Sequence, residues 1–250
     1  MSAWTAAGAG LLSASGVLVG ALAALWLQMH HRAIAGITAV GVGLLIAIAS
    51  LYLISGALDA VSAIVAASGA LGGAGVFSLI NSALRRWEAE KRKRCGECVQ
   101  QPSEAEVPGS GLAIAFGSLL DAVPDGLIVG AASAGGGMAW PPIAVIAAFA
   151  VANFAEGLSS AAGMRAAGRS RRYVLLLWSG ATVVSAAAAV LRFWLFSGGN
   201  LERGWLEAFA AGGLIALVVE TMAPEAVSGQ PGFTGFLAML GFSALLLALA

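Results

Sequence analysis

Charged residues are scarce in this sequence, at 10% against 59% hydrophobic residues. A soluble domain carries roughly a quarter charged residues. A chain of 250 residues with so little charge cannot bury its apolar side chains internally and still present a polar surface to water. The sequence therefore predicts an integral membrane protein, with the lipid bilayer as its solvent.

Histidine is also scarce, and the common enzyme signatures are missing. The two histidines, His30 and His31, lie outside the apolar segments, which excludes histidine-based acid–base chemistry at mid-membrane. The chain has no HExxH, GxSxG, P-loop or glycine-rich dinucleotide motif, and no Tyr-Asp or Gly-x-Gly-Asp context of an intramembrane aspartyl protease. No basic stripe suggests nucleic acid. We expect a protein that is not an enzyme and carries no cofactor.

What the chain has in abundance is long apolar segments, each near or above the ~20 residues that cross a bilayer. The first has no basic n-region and exceeds signal-peptide length, so it is interpreted as an uncleaved span. An all-α membrane protein with one transmembrane domain over 1–250 is expected. The eight predicted spans are residues 5–27, 33–57, 60–84, 111–134, 141–164, 173–196, 205–227 and 232–250.

Positive charges predict which ends of the spans face the cytoplasm. If both termini lie outside, eleven of the 13 Lys and Arg residues fall on the inner side. Arg203 falls outside, and Arg192 lies near the outer end of span six, where its head can reach the interface. Because cytoplasmic loops are enriched in Lys and Arg, this split predicts both termini outside and an even number of spans. The inner residues are Arg32, Arg85, Arg86, Lys91, Arg92, Lys93, Arg94, Arg165, Arg169, Arg171 and Arg172. A multi-pass protein of the cell (inner or plasma) membrane is expected.

Residues 85–110 form the one sizeable polar segment and are predicted to be a flexible cytoplasmic loop. The loop contains Cys95 and Cys98 in the motif CGEC. Because the cytosol is reducing, a structural disulfide is not expected. The pair is half of a tetrahedral metal site, which a second chain or His30 and His31 would complete. Two unligated thiols are the alternative.

Two stretches indicate an internal duplication. "AVGVGLLIAIA" (39–49) is similar to "AFAAGGLIALV" (208–218), and "LDAV" (58–61) to "PEAV" (224–227). The first stretch enters the membrane from inside and the second from outside, so the copies would be inverted. Inverted repeats are typical of transporters, with the substrate site between the halves.

Acidic residues within the spans are the strongest functional signal. Each ionised carboxylate at mid-bilayer costs at least about 2.5–3.5 kcal/mol on insertion scales. Several acids with almost no basic partner predict either protonation or a cation taken from solution. Simple hydrogen bonding between helices is the structural alternative. The acids are Asp121, Asp125, Glu156, Glu220 and Glu225, with Asp59 at the end of span two.

Helical spacing places four polar residues of spans four and five in two pairs. Asp121 and Asp125 are four apart and share one helix face, as do Asn153 and Glu156, three apart. Pro124 removes a backbone hydrogen bond, which leaves a carbonyl to be satisfied in the membrane. Small residues recur every four positions beside these acids, which predicts that spans four and five are neighbours and is equally compatible with a homodimer. They are Ser118, Ala122, Gly126 and Gly130 in span four and Ala155, Ser159 and Gly163 in span five.

"DAVPDG" (121–126) and "NFAEGLSSAAGM" (153–164) resemble the paired motifs of spans four and five in ZIP-type metal transporters. Those motifs are roughly His-Asn-x-Pro-(Asp/Glu)-Gly and (His/Gln)-(Glu/Asp)-x-Pro-Glu-Gly. "ETMAPEA" (220–226) resembles the family's span-seven ending, and eight spans with outside termini and a long loop after span three also match. The resemblance implies a 3+2+3 arrangement with inverted repeats. It also implies rocking of spans one, four, five and six against the others.

The resemblance places Asp125 and Glu156 on the family's carboxylate metal ligands. Asp121 stands where the family usually has histidine, and Asn153 stands at an acid and is expected to assist. Ala122, Ala152 and Ala155 replace the family's asparagine, its histidine or glutamine, and its proline. Span six lacks the acid that many members use for a second metal. One half of a binuclear site, at most, is therefore implied.

The expected function is gradient-driven transport of a divalent cation, with Glu220, Glu225 and Asp59 as pathway or gate groups. Zinc favours imidazole and thiolate ligands, whereas carboxylate oxygens suit Mn²⁺ or Mg²⁺, with Fe²⁺ between. Zinc, manganese, iron, cobalt and cadmium all stay open as substrates. The alternative function is a non-transporting membrane scaffold or regulator with a degenerate metal site.

Overall fold

The computed structural model describes residues 3–27, 29–84, 110–134, 143–195, 199–229 and 232–250. Throughout these ranges the regular structure is helical, and no strand occurs within them. The prediction of an all-α fold is therefore confirmed for this part of the chain. Cys95 and Cys98 lie outside the described residues.

A helix occupies most of each predicted apolar segment, and we number these helices in chain order. Six of them, among the described residues, are long and apolar enough to cross a membrane: α1 to α3 and α5 to α7. Helix α8 is a shorter apolar helix of 16 residues. The helices are α1 Ala3–Trp26, α2 His31–Ala60, α3 Ala63–Leu84, α4 Ser110–Ala134, α5 Ile143–Ala166, α6 Arg171–Leu195, α7 Asn200–Leu217 continuing to Gly229, and α8 Thr234–Leu249.

Two of the long helices contain a π-helical segment. In α2 it spans Ile48–Ile54, and in α7 it spans Val218–Met222. Both segments lie at the carboxyl ends of the two similar stretches, 39–49 and 208–218. Since π segments are rare, their occurrence at matching positions is a local feature that α2 and α7 share.

Glycines set the closest helix–helix approaches, because a side chain there would overlap a neighbouring backbone. Helices α1 and α5 meet at Gly16, Gly20 and Gly157, and α4 meets α6 at Gly126 and Gly130. In the same way, the α2–α8 pair meets at Gly43 and Gly241, and the α3–α7 pair at Gly73 and Gly212. Such approaches are how membrane helices pack without a hydrophobic driving force.

The small-residue face of α4 does not contact α5, as the sequence predicted, but α6. Gly126 and Gly130 lie against the backbone at Ser185 and Ala189 of α6. Of the small residues of α5, Ala155 lies against Gly41 of α2, and Ser159 donates to Glu225 of α7. A small-residue face shows that a helix can approach closely, but it does not specify which helix approaches.

Buried apolar side chains form two main clusters. One contains residues of α2, α4, α5 and α7 and includes Ile48, Phe149 and Leu214. The other joins α1, α4, α5 and α6 and includes Ile114 and Trp178. Helices α4 and α5 contribute to both clusters, so the polar residues on these two helices are held between packed apolar layers.

Candidate functional site

Four of the predicted ligands line one small buried cavity. Asp121 and Asp125 reach it from α4, and Asn153 and Glu156 reach it from α5. All four are between 3% and 7% exposed. The cavity volume is about 10 Å³, room for roughly one water-sized sphere. The structure therefore brings together residues that lie about thirty positions apart in the sequence.

Helix α6 supplies a third wall that the sequence interpretation missed. Trp178, Thr182 and Ser185 line the cavity from α6, and Ser118 lines it from α4. The three α6 residues are spaced four and three apart, so they share one helix face. That spacing is the available signal in the sequence. It is weak because serine, threonine and tryptophan are ordinary in apolar helices.

Hydrogen bonds fix two of these side chains. Asn153 Nδ2 donates to the carbonyl of Ser13 on α1, at 3.0 Å. Thr182 Oγ1 donates to the carbonyl of Trp178 within α6, at 2.8 Å. Because a carbonyl only accepts, the bond to Ser13 assigns the amide nitrogen of Asn153 and leaves its Oδ1 as the atom that can bind a cation.

Three uncharged polar groups on the cavity wall have no hydrogen-bond partner among the described residues. They are Ser118 Oγ, Ser185 Oγ and Trp178 Nε1. Each of these residues is 1% exposed. Buried polar groups are normally hydrogen-bonded, so three unsatisfied atoms around one cavity indicate a missing ligand or water.

The charged residues of the cavity wall are all acidic. Three carboxyl groups line it, and no Lys, Arg or His belongs to the wall as the structure describes it. The carboxylates surround the cavity without closing on one point. Within the described ranges no three His, Cys, Asp or Glu residues are grouped as a formed metal site. An ion would have to draw these side chains inward.

A larger cavity of about 190 Å³ adjoins this site and shares Asp121 with it. Its wall is mostly apolar and comes from α2, α3, α4, α6 and α7, with Pro124 of α4 among the lining residues. Its other polar lining residues are Asn81, Arg192 and Glu207. Arg192, which the sequence placed at the interface, is buried at 5% exposure. Asp121 therefore connects a narrow polar cavity to a wide apolar one.

Glu220 and Glu225 line neither cavity and instead join helices. Ser78 Oγ and Asn81 Nδ2 of α3 donate to Glu220, the amide at 2.8 Å. Ser159 Oγ of α5 donates to Glu225, which is 2% exposed. These carboxylates tie α7 to α3 and to α5.

Asp59, His30 and His31 also lie outside both cavities. Asp59 is exposed near the end of α2. His30 and His31 lie at the start of α2 with ring centroids 4.6 Å apart. Any metal-capturing partnership of these histidines with Cys95 and Cys98 falls outside the described residues.

Glu207, an acid within predicted span seven, was missed as a candidate. It pairs with Arg203 one turn earlier, with Arg203 Nε 2.9 Å from Glu207 Oε1.

No protein-family model and no curated protein matches the chain.

Proposed function

We propose that this protein moves a divalent metal cation across the membrane through the small cavity between α4, α5 and α6. One observation carries the proposal. Three buried carboxyl groups and an asparagine from two helices line a single cavity, with no basic side chain on its wall as described.

Electrostatics favours a cation over a purely structural role. Asp121, Asp125 and Glu156 share one small volume, so their negative charges would repel one another. A divalent cation in the cavity offsets this repulsion, and Asn153 Oδ1 adds a neutral oxygen.

The proposed architecture is that of a divergent ZIP-type transporter: eight spans in a 3+2+3 arrangement with inverted repeats. The helix contacts support it. In an inverted repeat, α1, α2 and α3 correspond to α6, α7 and α8, and α4 corresponds to α5. The contact between α1 and α5 then matches the contact between α6 and α4, and the contact between α2 and α8 matches the contact between α7 and α3. Gly43 and Gly212, at matching positions of the two similar stretches, each make one of these approaches.

The proposed movement of the ion divides the helices into two groups. One group, α1, α4, α5 and α6, rocks against the other, α2, α3, α7 and α8. The larger cavity lies between the groups, with α4 and α6 on one side and α2, α3 and α7 on the other. It would give access to Asp121. Transport is gradient-driven, in a cell membrane, with both termini outside and the loop 85–110 in the cytoplasm.

Ion uptake into proteoliposomes tests the function. The full chain should take up at least one of Zn²⁺, Mn²⁺, Fe²⁺, Co²⁺ and Cd²⁺ saturably, and Asp125→Asn and Glu156→Gln should abolish this uptake. Glu202→Gln is the matched control, because Glu202 is an exposed acid in the first turn of α7. Uptake at the empty-liposome rate for every ion would refute transport, and uptake by both site variants would refute the site.

A non-transporting scaffold or regulator is the second candidate. The hydrogen-bonded roles of Glu220 and Glu225 favour it, because they show that acids in this chain do join helices. If the cavity acids act in the same way, Asp125→Asn and Glu156→Gln should lower thermal stability, and no ion should be taken up saturably. Uptake and melting measured on the same preparations separate the two candidates.

A further inference from the structure

Ser118 and Ser185 depart from the usual behaviour of a hydroxyl in an apolar helix. Serine and threonine there commonly donate to a carbonyl three or four residues earlier. In this chain Ser13 donates to Gly10, Thr38 to Ile34, and Thr221 to Leu217, at 2.6–3.0 Å. Ser118 Oγ and Ser185 Oγ are as buried as these but have no partner among the described residues, and both line the carboxylate cavity.

We infer that Ser118 and Ser185 are neutral oxygen ligands of the cation, and that with them the site selects a Mn²⁺-type ion over Zn²⁺. The inference rests on the proposed function and specifies its substrate class. Ser118 lies on α4, three and seven residues before Asp121 and Asp125, and therefore on the same face. Ser185 adds a ligand from α6, where no acid is present to bind metal.

The number and type of ligands argue for manganese. One oxygen each from Asp121, Asp125 and Glu156, with Asn153 Oδ1 and the two serine hydroxyls, makes six. Six oxygens in octahedral geometry suit Mg²⁺, Ca²⁺ or Mn²⁺. Zn²⁺ prefers four ligands rich in nitrogen and sulfur, and the wall contains no His or Cys among its described residues.

The size of the cavity separates the oxygen-binding ions. Mg²⁺ dehydrates reluctantly and usually keeps several waters, whereas this cavity holds roughly one water-sized sphere. Ca²⁺ takes up to eight ligands at longer distances of about 2.3–2.6 Å. A bare Mn²⁺ fits the ligand count and the volume together.

The indole nitrogen Nε1 of Trp178 also has no hydrogen-bond partner among the described residues, and we assign it a supporting role. Its Nε1–H only donates and cannot bind a cation. With an ion bound, this group would donate to the outer oxygen of a ligating carboxylate, as groups behind metal ligands commonly do. Trp178 would then be a positioning residue and not a ligand.

Ion binding by Ser118→Ala and Ser185→Ala tests the inference in the purified full-length protein. Electron paramagnetic resonance gives Mn²⁺ affinity from the unbound ion, and calorimetry gives Zn²⁺ affinity. We expect Mn²⁺ binding to weaken about tenfold to a hundredfold, the range known for supporting groups at metal sites, and Zn²⁺ binding to change much less. Thr38→Val is the matched control, since Thr38 is buried but bonded within its own helix.

Thermal melting excludes a merely structural explanation. Because neither hydroxyl has a partner among the described residues, metal-free alanine variants should melt at or above the wild-type temperature. The stabilisation by Mn²⁺ should fall. Ser185→Cys should shift preference toward Cd²⁺ and Zn²⁺, because it replaces a hard oxygen with sulfur at nearly equal size.

Each remaining outcome overturns the inference in a distinguishable way. If the alanine variants bind Mn²⁺ as the wild type does, while Asp125→Asn does not, the serines are not ligands and the proposed function stands. If Mn²⁺ and Zn²⁺ weaken equally, the selectivity is wrong. If the wild type binds no divalent ion, the inference and the proposed function fail together.

Discussion

Gly126 of α4 lies directly against the carbonyl oxygen of Ser185 on α6. A Cβ atom at Gly126 would overlap that oxygen and lie 2.8 Å from Ala188 Cβ. The contact fixes the distance between α4 and α6 immediately beside Asp125. It therefore determines whether the carboxylates of α4 and the hydroxyls of α6 surround the same cavity.

Gly126→Ala should separate α4 from α6. The added methyl meets backbone, which cannot rotate away, so we expect a loss of about 1–3 kcal/mol in stability, together with loss of ion uptake. Gly75→Ala is the control, because no atom lies within 4 Å of a Cβ placed there. Thermal melting and uptake of both variants provide the check. Wild-type melting of Gly126→Ala would show that the close α4–α6 approach is wrong.

Glu220→Ala should weaken the α3–α7 contact. It leaves Ser78 Oγ and Asn81 Nδ2 without their acceptor, and an unsatisfied buried group costs about 1–3 kcal/mol. We expect a lower melting temperature that is the same with and without divalent ion. Melting curves in chelator and in excess Mn²⁺ measure this. A difference that appears only with metal present would instead place Glu220 on the ion pathway.

Asp121→His should move ion preference toward zinc. Asp121 stands where the resembled family usually has histidine, and imidazole is a preferred zinc ligand. We expect the ratio of Zn²⁺ to Mn²⁺ uptake to rise at unchanged protein content in the liposomes. Asp121→Asn, which removes charge without adding imidazole, is the comparison. An equal rise in both variants would show that charge alone sets the preference.

The native cysteines test the orientation in the membrane. Cys95 and Cys98 are the two cysteines of the chain, and both belong to the loop placed in the cytoplasm by the positive-inside rule. In intact cells a membrane-impermeant maleimide should leave them unlabelled, and in inverted vesicles it should label them. Labelling of intact cells would reverse the proposed topology.

The positions of the helices could be predicted from the sequence because long apolar runs and polar connections mark them directly. The grouping of Asp121 with Asp125, and of Asn153 with Glu156, followed from helical periodicity. Which helices lie together could not be predicted in the same way. The face containing Gly126 suits α5 as well as α6, so Ser185 and Thr182 were missed.

The roles of Glu220 and Glu225 were hidden for the same reason. Their partners, Asn81 and Ser159, lie 139 and 66 positions away in the chain. Only the packing of α7 against α3 and α5 brings these residues together. Local sequence patterns therefore identified these acids as candidates. Only the tertiary contacts show which of them line the cavity and which of them join helices.

Anomalous diffraction from crystals of the full chain grown with Mn²⁺ tests the central claim most directly. The proposed site predicts one strong peak in the small cavity, roughly 2.0–2.6 Å from oxygens of Asp121, Asp125 and Glu156. The peak should be lost in Glu156→Gln. A cavity that holds only water at saturating Mn²⁺, with the carboxyl groups hydrogen-bonded between helices, would contradict the claim.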